Sequence, residues 1–144
     1  MELFKVPIDG GESVRLSQGY LADNPNLSPD GKLLAAYYRE KAGAPLKLII
    51  LAPDGGQPQK ILDVPETTIS SFRWLPDSRS FAFVDEQKGV SNIWMQQIDG
   101  GKPKQLTDFT SGQISSFDLS RDGKPTLLSR GETRKDVVLI TGFK

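Results

Sequence analysis

The feature that most constrains this chain is one turn sequence that recurs at constant spacing. "IDGG" occurs twice with "PDGG" between the two copies, so that Asp9, Asp54 and Asp99 are separated by 45 residues and then by 45 again. Self-similarity at a fixed period of roughly 20 to 50 residues is typical of repeat architectures, in which each repeat is one supersecondary unit. We therefore expect a chain built from copies of one unit.

A second turn recurs with nearly the same period. It reads "SPDGK", "LPDSR" and "SRDGK", and its aspartates Asp30, Asp77 and Asp122 lie 47 and 45 residues apart. Asp-Gly between alternating apolar residues is a strong hairpin signal, because glycine accepts the positive φ of a tight turn. Aspartate at such a turn ordinarily bonds its own backbone. We therefore assign these residues to turns and assign no metal ligand, since no EF-hand spacing accompanies them.

The runs between the turns predict four short strands per unit, called A to D. No window shows a sustained apolar period of about 3.6 residues, and glycine and proline interrupt every run, so the chain is predicted to be all-β. Strands A and B flank the first aspartate turn, whereas C and D flank the Asp-Gly-Gly turn. Strand C reads "LKLIIL", "NIWMQQI", "DVVLI" and, at the start, "ELFKVPI". Its residues Ile49, Trp94 and Val138 are expected in equivalent buried positions.

Four antiparallel strands in each period match the blade of a β-propeller. A β-sandwich of a dozen strands is the rival fold, but it has no reason to repeat its turns at constant spacing. The predicted division is a half blade at 1–17, blades at 18–63 and 64–109, and a blade lacking its outer strand at 110–144. The chain is thus expected to be about three four-stranded units, incomplete at both ends.

Known propellers have roughly four to eight blades, so three units do not close a ring. Two explanations stay open: the chain is part of a longer protein, or a homodimer completes a six-bladed ring. In the dimer, "SVRL" of each chain would lie beside "DVVLI" of its partner, and "ELFKVPI" would be surplus.

The order of an apolar strand, "SPDGK", a β-branched strand, "DGG" and a strand ending "QLTD" resembles the PD40 (WD40-like) repeat of TolB-like propellers. The best match is "SSFRWLPDSRSFAFVDEQKGVSNIWMQQIDGGKPKQLTDF", although Leu75, Ser78 and Arg121 depart from the repeat. The final "SRGETRKDVVLITGFK" resembles the C-terminal end of propellers in bacterial multidomain proteins, where a serine/threonine kinase or a winged-helix DNA-binding region precedes the propeller. The resemblance implies a binding module of a larger sensory or regulatory protein.

Composition narrows the chemistry further. The net charge is zero, so no nucleic-acid footprint is present. The absence of cysteine and histidine removes thiol nucleophiles, the usual general base and the serine triad, and no cofactor motif occurs. No apolar run reaches the roughly 20 residues of a membrane span, no leader pattern is present, and the compartment stays open. Nothing fixes the separation of the carboxylates that an acid/base pair would need: Asp85, Glu86, Glu132 and Asp136.

In propellers, ligands usually meet the rim formed by the B–C loops and by the loops from D to the next A. Here these loops are polar and varied, as connecting loops generally are. The candidate binding residues on this rim are Tyr20, Arg39, Lys41, Glu86, Lys88, Phe109, Arg130 and Arg134. A solvated charged rim is the plainer interpretation, and a protein- or peptide-binding face is the functional one.

Two functions from different classes are carried forward. The first is a noncatalytic module that binds protein or peptide. The second is the propeller portion of a hydrolase resembling the prolyl oligopeptidase family, in which a separate domain does the chemistry. The "GxSxG" nucleophile elbow of such a catalytic domain is not found in this sequence. Because the chain also lacks histidine, cysteine and a phosphate-cradling glycine motif, it is itself predicted not to be an enzyme.

Overall fold

A computed structural model of the chain describes residues 2–17, 21–65, 72–120, 122–123 and 126–132. These residues form strands and no helix, which confirms the all-β prediction. The strands are β1 (Phe4–Lys5), β2 (Val14–Arg15), β3 (Leu21–Leu27), β4 (Leu34–Arg39), β5 (Lys47–Ala52), β6 (Gly55–Asp63), β7 (Arg73–Trp74), β8 (Ser80–Gln87), β9 (Val90–Gln97), β10 (Lys104–Gln105), β11 (Gln113–Leu119) and β12 (Thr126–Gly131). Within the same ranges, no helix has the length and hydropathy that crossing a membrane requires.

Within the described residues, the strands pair only with their neighbours in sequence, in four antiparallel sheets. The second sheet is β3-β4-β5-β6 and the third is β7-β8-β9-β10, so each has four strands in chain order. The first sheet, β1-β2, and the fourth, β11-β12, have two strands each in the part of the chain that the structure describes. In the terms of the repeat, the first sheet supplies strands C and D, whereas the fourth supplies A and B.

The recurring aspartates shape the A–B turns, as predicted. Asp77 accepts hydrogen bonds from the backbone N–H groups of Arg79 and Ser80 at 2.8 and 2.9 Å. Asp30 accepts one from the N–H of Lys32 at 3.1 Å and another from the hydroxyl of Ser28 at 2.6 Å. These two bonds, with the serine hydroxyl first, hold the pKa of Asp30 below its usual value.

Ser78 departs from the repeat for a physical reason. It takes the place of a turn glycine and keeps a glycine-like φ of 55°, against 71° at Gly31 and 70° at Gly123. Its hydroxyl oxygen accepts a hydrogen bond from the backbone N–H of Asp30 at 3.1 Å, in the corresponding turn of the second sheet. The serine thus joins two neighbouring turns, which a glycine there would not do.

The core consists of three layers, each between two neighbouring sheets. The first layer joins the first and second sheets through Leu3, Leu16, Ala22, Leu34, Ala36, Ile49 and Leu51. The second layer joins the second and third sheets through Ala35, Tyr37, Leu48, Ile50, Phe72, Trp74, Phe81, Phe83 and Ile98. The third layer joins the third and fourth sheets through Ala82, Val84, Ile93, Ile114 and Phe117. Each sheet of four strands is therefore covered on both faces.

The two tryptophans differ in their burial. Trp74 is 6% exposed, and its indole N–H donates to the carbonyl of Asn26 in the second sheet at 2.9 Å. Trp94 is only half-buried and packs at the margin of the second layer, so its predicted equivalence in burial to the fully buried Ile49 is wrong. Ile93, 1% exposed, is the buried apolar side chain of β9 instead. Val138 lies outside the described residues.

Candidate functional site

A polar cleft, here called the rim cleft, lies where the third and fourth sheets meet. Its volume is about 360 Å³, and its walls are Glu86, Gln113, Ile114, Ser115, Ser129, Arg130, Gly131 and Glu132. Glu86 comes from the end of β8, and the other residues come from β11, β12 and the residue after it. The cleft therefore lies at the B–C end of two neighbouring sheets.

Two hydrogen bonds join the third and fourth sheets at the rim cleft, and one close backbone approach lies within the fourth sheet. The N–H of Ser91 donates to the carbonyl of Gly112 at 3.0 Å, and the side-chain amide of Gln113 donates to Glu86 at 3.0 Å. A Cβ at Gly112 would lie 2.9 Å from the carbonyl oxygen of Gly131, and its φ is +74°. Only glycine fits this close approach without a shift of the backbone. The two sheets are thus held together at the mouth of the cleft.

Arg130 is held in place by its neighbours. The carbon of its guanidinium lies 4.4 Å from the centre of the Phe109 ring, and its Nη2 donates to the carbonyl of Ser111. Asn92 fixes the phenylalanine in turn, since its side-chain oxygen accepts from the Phe109 N–H at 2.7 Å and from the Thr107 hydroxyl at 2.9 Å. Stacking of one face leaves the N–H groups that are not bonded to Ser111 for a carboxylate. Such an arginine loses little side-chain freedom on binding.

The structure brings together only some of the predicted rim residues. Glu86 and Arg130 line the rim cleft, and Phe109 supports Arg130 from behind. Lys88 lies in the exposed β8–β9 turn with a φ of 54°. The cleft walls do not include Arg39 or Lys41.

The other predicted rim residues do not line the rim cleft in the described part of the structure. Arg39 donates to the carbonyl of Ala44 and so closes its own loop, in which the Ala44 N–H also donates to the Lys41 carbonyl at 3.1 Å. Tyr20 and Arg134 lie outside the described residues. The prediction missed Gln113, although it lies in a predicted rim loop, "TDFTSGQI", where it follows a glycine. The supporting role of Asn92 could not be predicted from the sequence. It depends on the loop after β10 lying beside β9, where Asn92 bonds Thr107 and Phe109.

The opposite end of the sheets carries exposed ion pairs between neighbours. The Nζ of Lys5 lies 2.6 Å from Oδ1 of Asp54, and Lys60 forms an ion pair with Asp99. In each pair the hydrogen bond from the lysine lowers the pKa of the aspartate. Exposed pairs of this kind contribute little to stability. In the ranges that the structure describes, no three acidic residues are grouped as a metal site would require.

No family model matches the chain. Among solved structures, TolB from Acinetobacter baumannii superposes with a TM-score of 0.64 and 21% identity, over 88% of this chain and 31% of that one. A putative TolB from Agrobacterium tumefaciens gives a TM-score of 0.55 and 26% identity, over 88% and 53%. The fold is that of a TolB-like β-propeller. The resemblance read from the repeated turns is thereby confirmed.

Two curated relatives carry peptidase names. "Uncharacterized peptidase YuxL" of Bacillus subtilis (strain 168) is 29% identical over 108 residues, which is 75% of this chain and 15% of the relative. "Dipeptidyl-peptidase 5" of Porphyromonas gingivalis is 29% identical over 124 residues, which is 83% of this chain and 18% of the relative. The TolB-like chain thus spans less than a fifth of the length of either relative.

Proposed function

We propose that this TolB-like chain is a noncatalytic module that binds a peptide or protein segment in the rim cleft, as part of a larger bacterial sensory or regulatory protein. The observation that carries the proposal is the fixed guanidinium of Arg130 in a cleft that also holds two carboxylates, Glu86 and Glu132. A cleft with both charge signs and two serine hydroxyls suits the mixed polar groups of a peptide. Its volume of about 360 Å³ also falls in the range of small-ligand pockets, roughly 300 to 1,000 Å³.

A peptide array followed by calorimetry tests this proposal. For the best-binding peptide, Arg130→Ala is expected to raise the Kd by about 10-fold to 100-fold, because arginine anchors in clefts carry much of the binding energy. Arg39→Ala is the matched control, since Arg39 is the last residue of strand B (β4) in the second sheet, away from the cleft, and the Kd of this variant should stay unchanged. Failure of the array to yield any binding peptide, or equal losses in the two variants, would contradict the proposal.

The second candidate function is the propeller portion of a peptidase, in which the propeller serves a separate catalytic domain. The names of the two curated relatives favour it. Under either function, the isolated chain is expected to hydrolyse no dipeptide amide, because it contains no histidine and no cysteine to act as base or thiol nucleophile. The measurement is release of a chromogenic amine by the pure protein. Turnover that disappears in a Glu86→Gln variant would overturn this expectation.

As the alternative to a longer protein that completes its own ring, we propose that two copies of this chain associate into a six-bladed ring. The number of strands in each sheet supports this proposal. Among the described strands, each chain has two sheets of four strands and two sheets of two strands. Pairing the two-stranded sheets of one copy with those of the other would give two further blades and cover exposed strand edges. Two-fold association is the commonest symmetry of soluble oligomers. A monomeric chain in sedimentation at micromolar concentration would overturn this association.

A further inference from the structure

Two of the Asp-Gly-Gly turns have their aspartate bound by a lysine of the preceding sheet. Lys5 of β1 donates to Oδ1 of Asp54 at 2.6 Å, and Lys60 of β6 donates to Oδ1 of Asp99. The aspartate side chains are 86% and 70% exposed, so the two pairs contribute little to stability. Each pair nevertheless involves the carboxylate of an Asp-Gly bond, and this bond has a reactivity of its own.

An aspartate that precedes glycine cyclises spontaneously in exposed turns. The backbone nitrogen of the glycine attacks Cγ of the aspartate, the C–N bond forms as the C–O bond breaks, and the carboxyl hydroxyl leaves with the amide proton as one water. Water then opens the succinimide ring at either carbonyl and gives aspartate or isoaspartate. Glycine favours this reaction because no Cβ hinders the approach of its nitrogen. The carboxyl group must be neutral, since its oxygen leaves as water.

The two turns are closely matched apart from their lysine partners. Their first glycines, Gly55 and Gly100, have φ values of 85° and 98°. In each turn the hydrogen bond from the lysine must break before Cγ is attacked. The hydrogen bond from the lysine, and then its charge, lower the pKa of each aspartate, and Arg79 lowers the pKa of Asp99 further. The lysine therefore reduces the population of neutral, freely rotating carboxyl groups.

We propose that the lysine of each pair protects the adjoining Asp-Gly bond, so that Asp54 and Asp99 become sites of isomerisation when their partners are lost. This assigns a chemical role to ion pairs that add little to the stability of the fold. The proposal concerns a spontaneous modification of the turns, at the end of the sheets opposite the rim cleft.

The protection matters more at Asp54 than at Asp99. Isoaspartate adds one carbon to the backbone of the turn, and Gly55 already lies so close to the first sheet that a Cβ would stand 2.7 Å from the Cα of Leu16. Around Gly100, nothing lies within 4 Å of where its Cβ would be. Isomerisation at Asp54 therefore disturbs the contact between the first and second sheets, whereas the turn at Asp99 has room for the longer backbone.

Lys5→Met and Lys60→Met test the proposal at one site each. Methionine keeps an unbranched side chain and removes the charge. The folded proteins are incubated at neutral pH and low salt, and peptide mapping with an isoaspartate methyltransferase measures isoaspartate at both sites. Lys5→Met should raise the rate at Asp54 by about twofold to fivefold, the change in population that an exposed ion pair produces, and leave Asp99 unchanged. Lys60→Met should do the reverse, so each variant is the control for the other.

Lys5→Arg separates the charge from other effects of the substitution, because arginine keeps the cation, and the rate at Asp54 should stay near that of the parent. Raising the salt from about 0.01 M to about 1 M shortens the Debye length from about 30 Å to about 3 Å, and should bring the parent rate toward that of Lys5→Met. Equal rates at Asp54 in the parent and Lys5→Met, or equal increases in the arginine and methionine variants, would overturn the proposal. An equal increase at Asp99 in Lys5→Met would also count against it, since it would indicate general loosening of the fold.

Discussion

Replacing Phe72 with alanine is expected to lower the free energy of unfolding by about 3 to 5 kcal/mol, the usual cost of removing a buried phenylalanine. Phe72 is 1% exposed and stands between two sheets. Its ring centre lies 5.2 Å from that of Tyr37 in the second sheet and 6.1 Å from that of Phe81 in the third, both edge to face. The variant therefore loses contacts within the third sheet and contacts across the layer together.

Urea titration followed by tryptophan fluorescence measures this effect, because Trp74 packs in the same layer. Since small domains are stable by roughly 5 to 15 kcal/mol, the loss should move the midpoint well outside experimental error. Leu106→Ala is the control: its side chain is 45% exposed, and the expected loss is about 0.5 kcal/mol or less. Equal midpoints for the two variants would remove Phe72 from the core.

Gly55→Ala is the second large effect that we expect. A Cβ at Gly55 would lie 2.7 Å from the Cα of Leu16 and 2.8 Å from its carbonyl oxygen, and its φ is +85°. The left-handed conformation costs an alanine about 1 to 2 kcal/mol. Contact with the backbone of the first sheet adds about 1 to 3 kcal/mol, because neither chain segment can move without disturbing its own pairing. The combined loss should therefore be about 2 to 5 kcal/mol.

The repeat supplies a matched control for this prediction. Gly100 is the first glycine of the equivalent turn, has a φ of +98°, and has nothing within 4 Å of where its Cβ would lie. Gly100→Ala should then show only the conformational cost of about 1 to 2 kcal/mol. The difference between the two thermal or urea midpoints measures the contact with Leu16. Identical losses would mean that the first and second sheets do not approach each other at this turn.

The features that follow from local chemistry were predictable from the sequence. The turns at Asp30 and Asp77 were foreseen because an aspartate followed by Gly or Ser bonds its own backbone, whatever the sheets do. The burial of the individual side chains of β9 was not predictable from the sequence. Its side chains alternate between two layers, and alternation alone does not say which face is covered more completely. Ile93 is therefore buried, whereas Trp94 reaches the margin.

The candidate site was predictable only as a set of loops. Phe109 and Arg130 were both placed on the rim by strand order, but their stacking at 4.4 Å depends on how the fourth sheet packs on the third. That packing is governed by long-range contacts such as Ser91 to Gly112, which no short sequence window contains. For the same reason, the sequence did not indicate that Gln113 lines the rim cleft.

The hydrogen bonds of Ser78 and Trp74 have a consequence for how such a chain can change over generations. Most contacts between sheets use positions that every unit shares, so gain or loss of a whole unit would preserve the pattern of the layers. The Ser78 hydroxyl and the Trp74 indole, however, bond to the Asp30 N–H and the Asn26 carbonyl of the second sheet. Exchanging the order of the two complete units along the chain would therefore leave the Ser78 hydroxyl without its N–H donor and the buried Trp74 indole without its carbonyl acceptor.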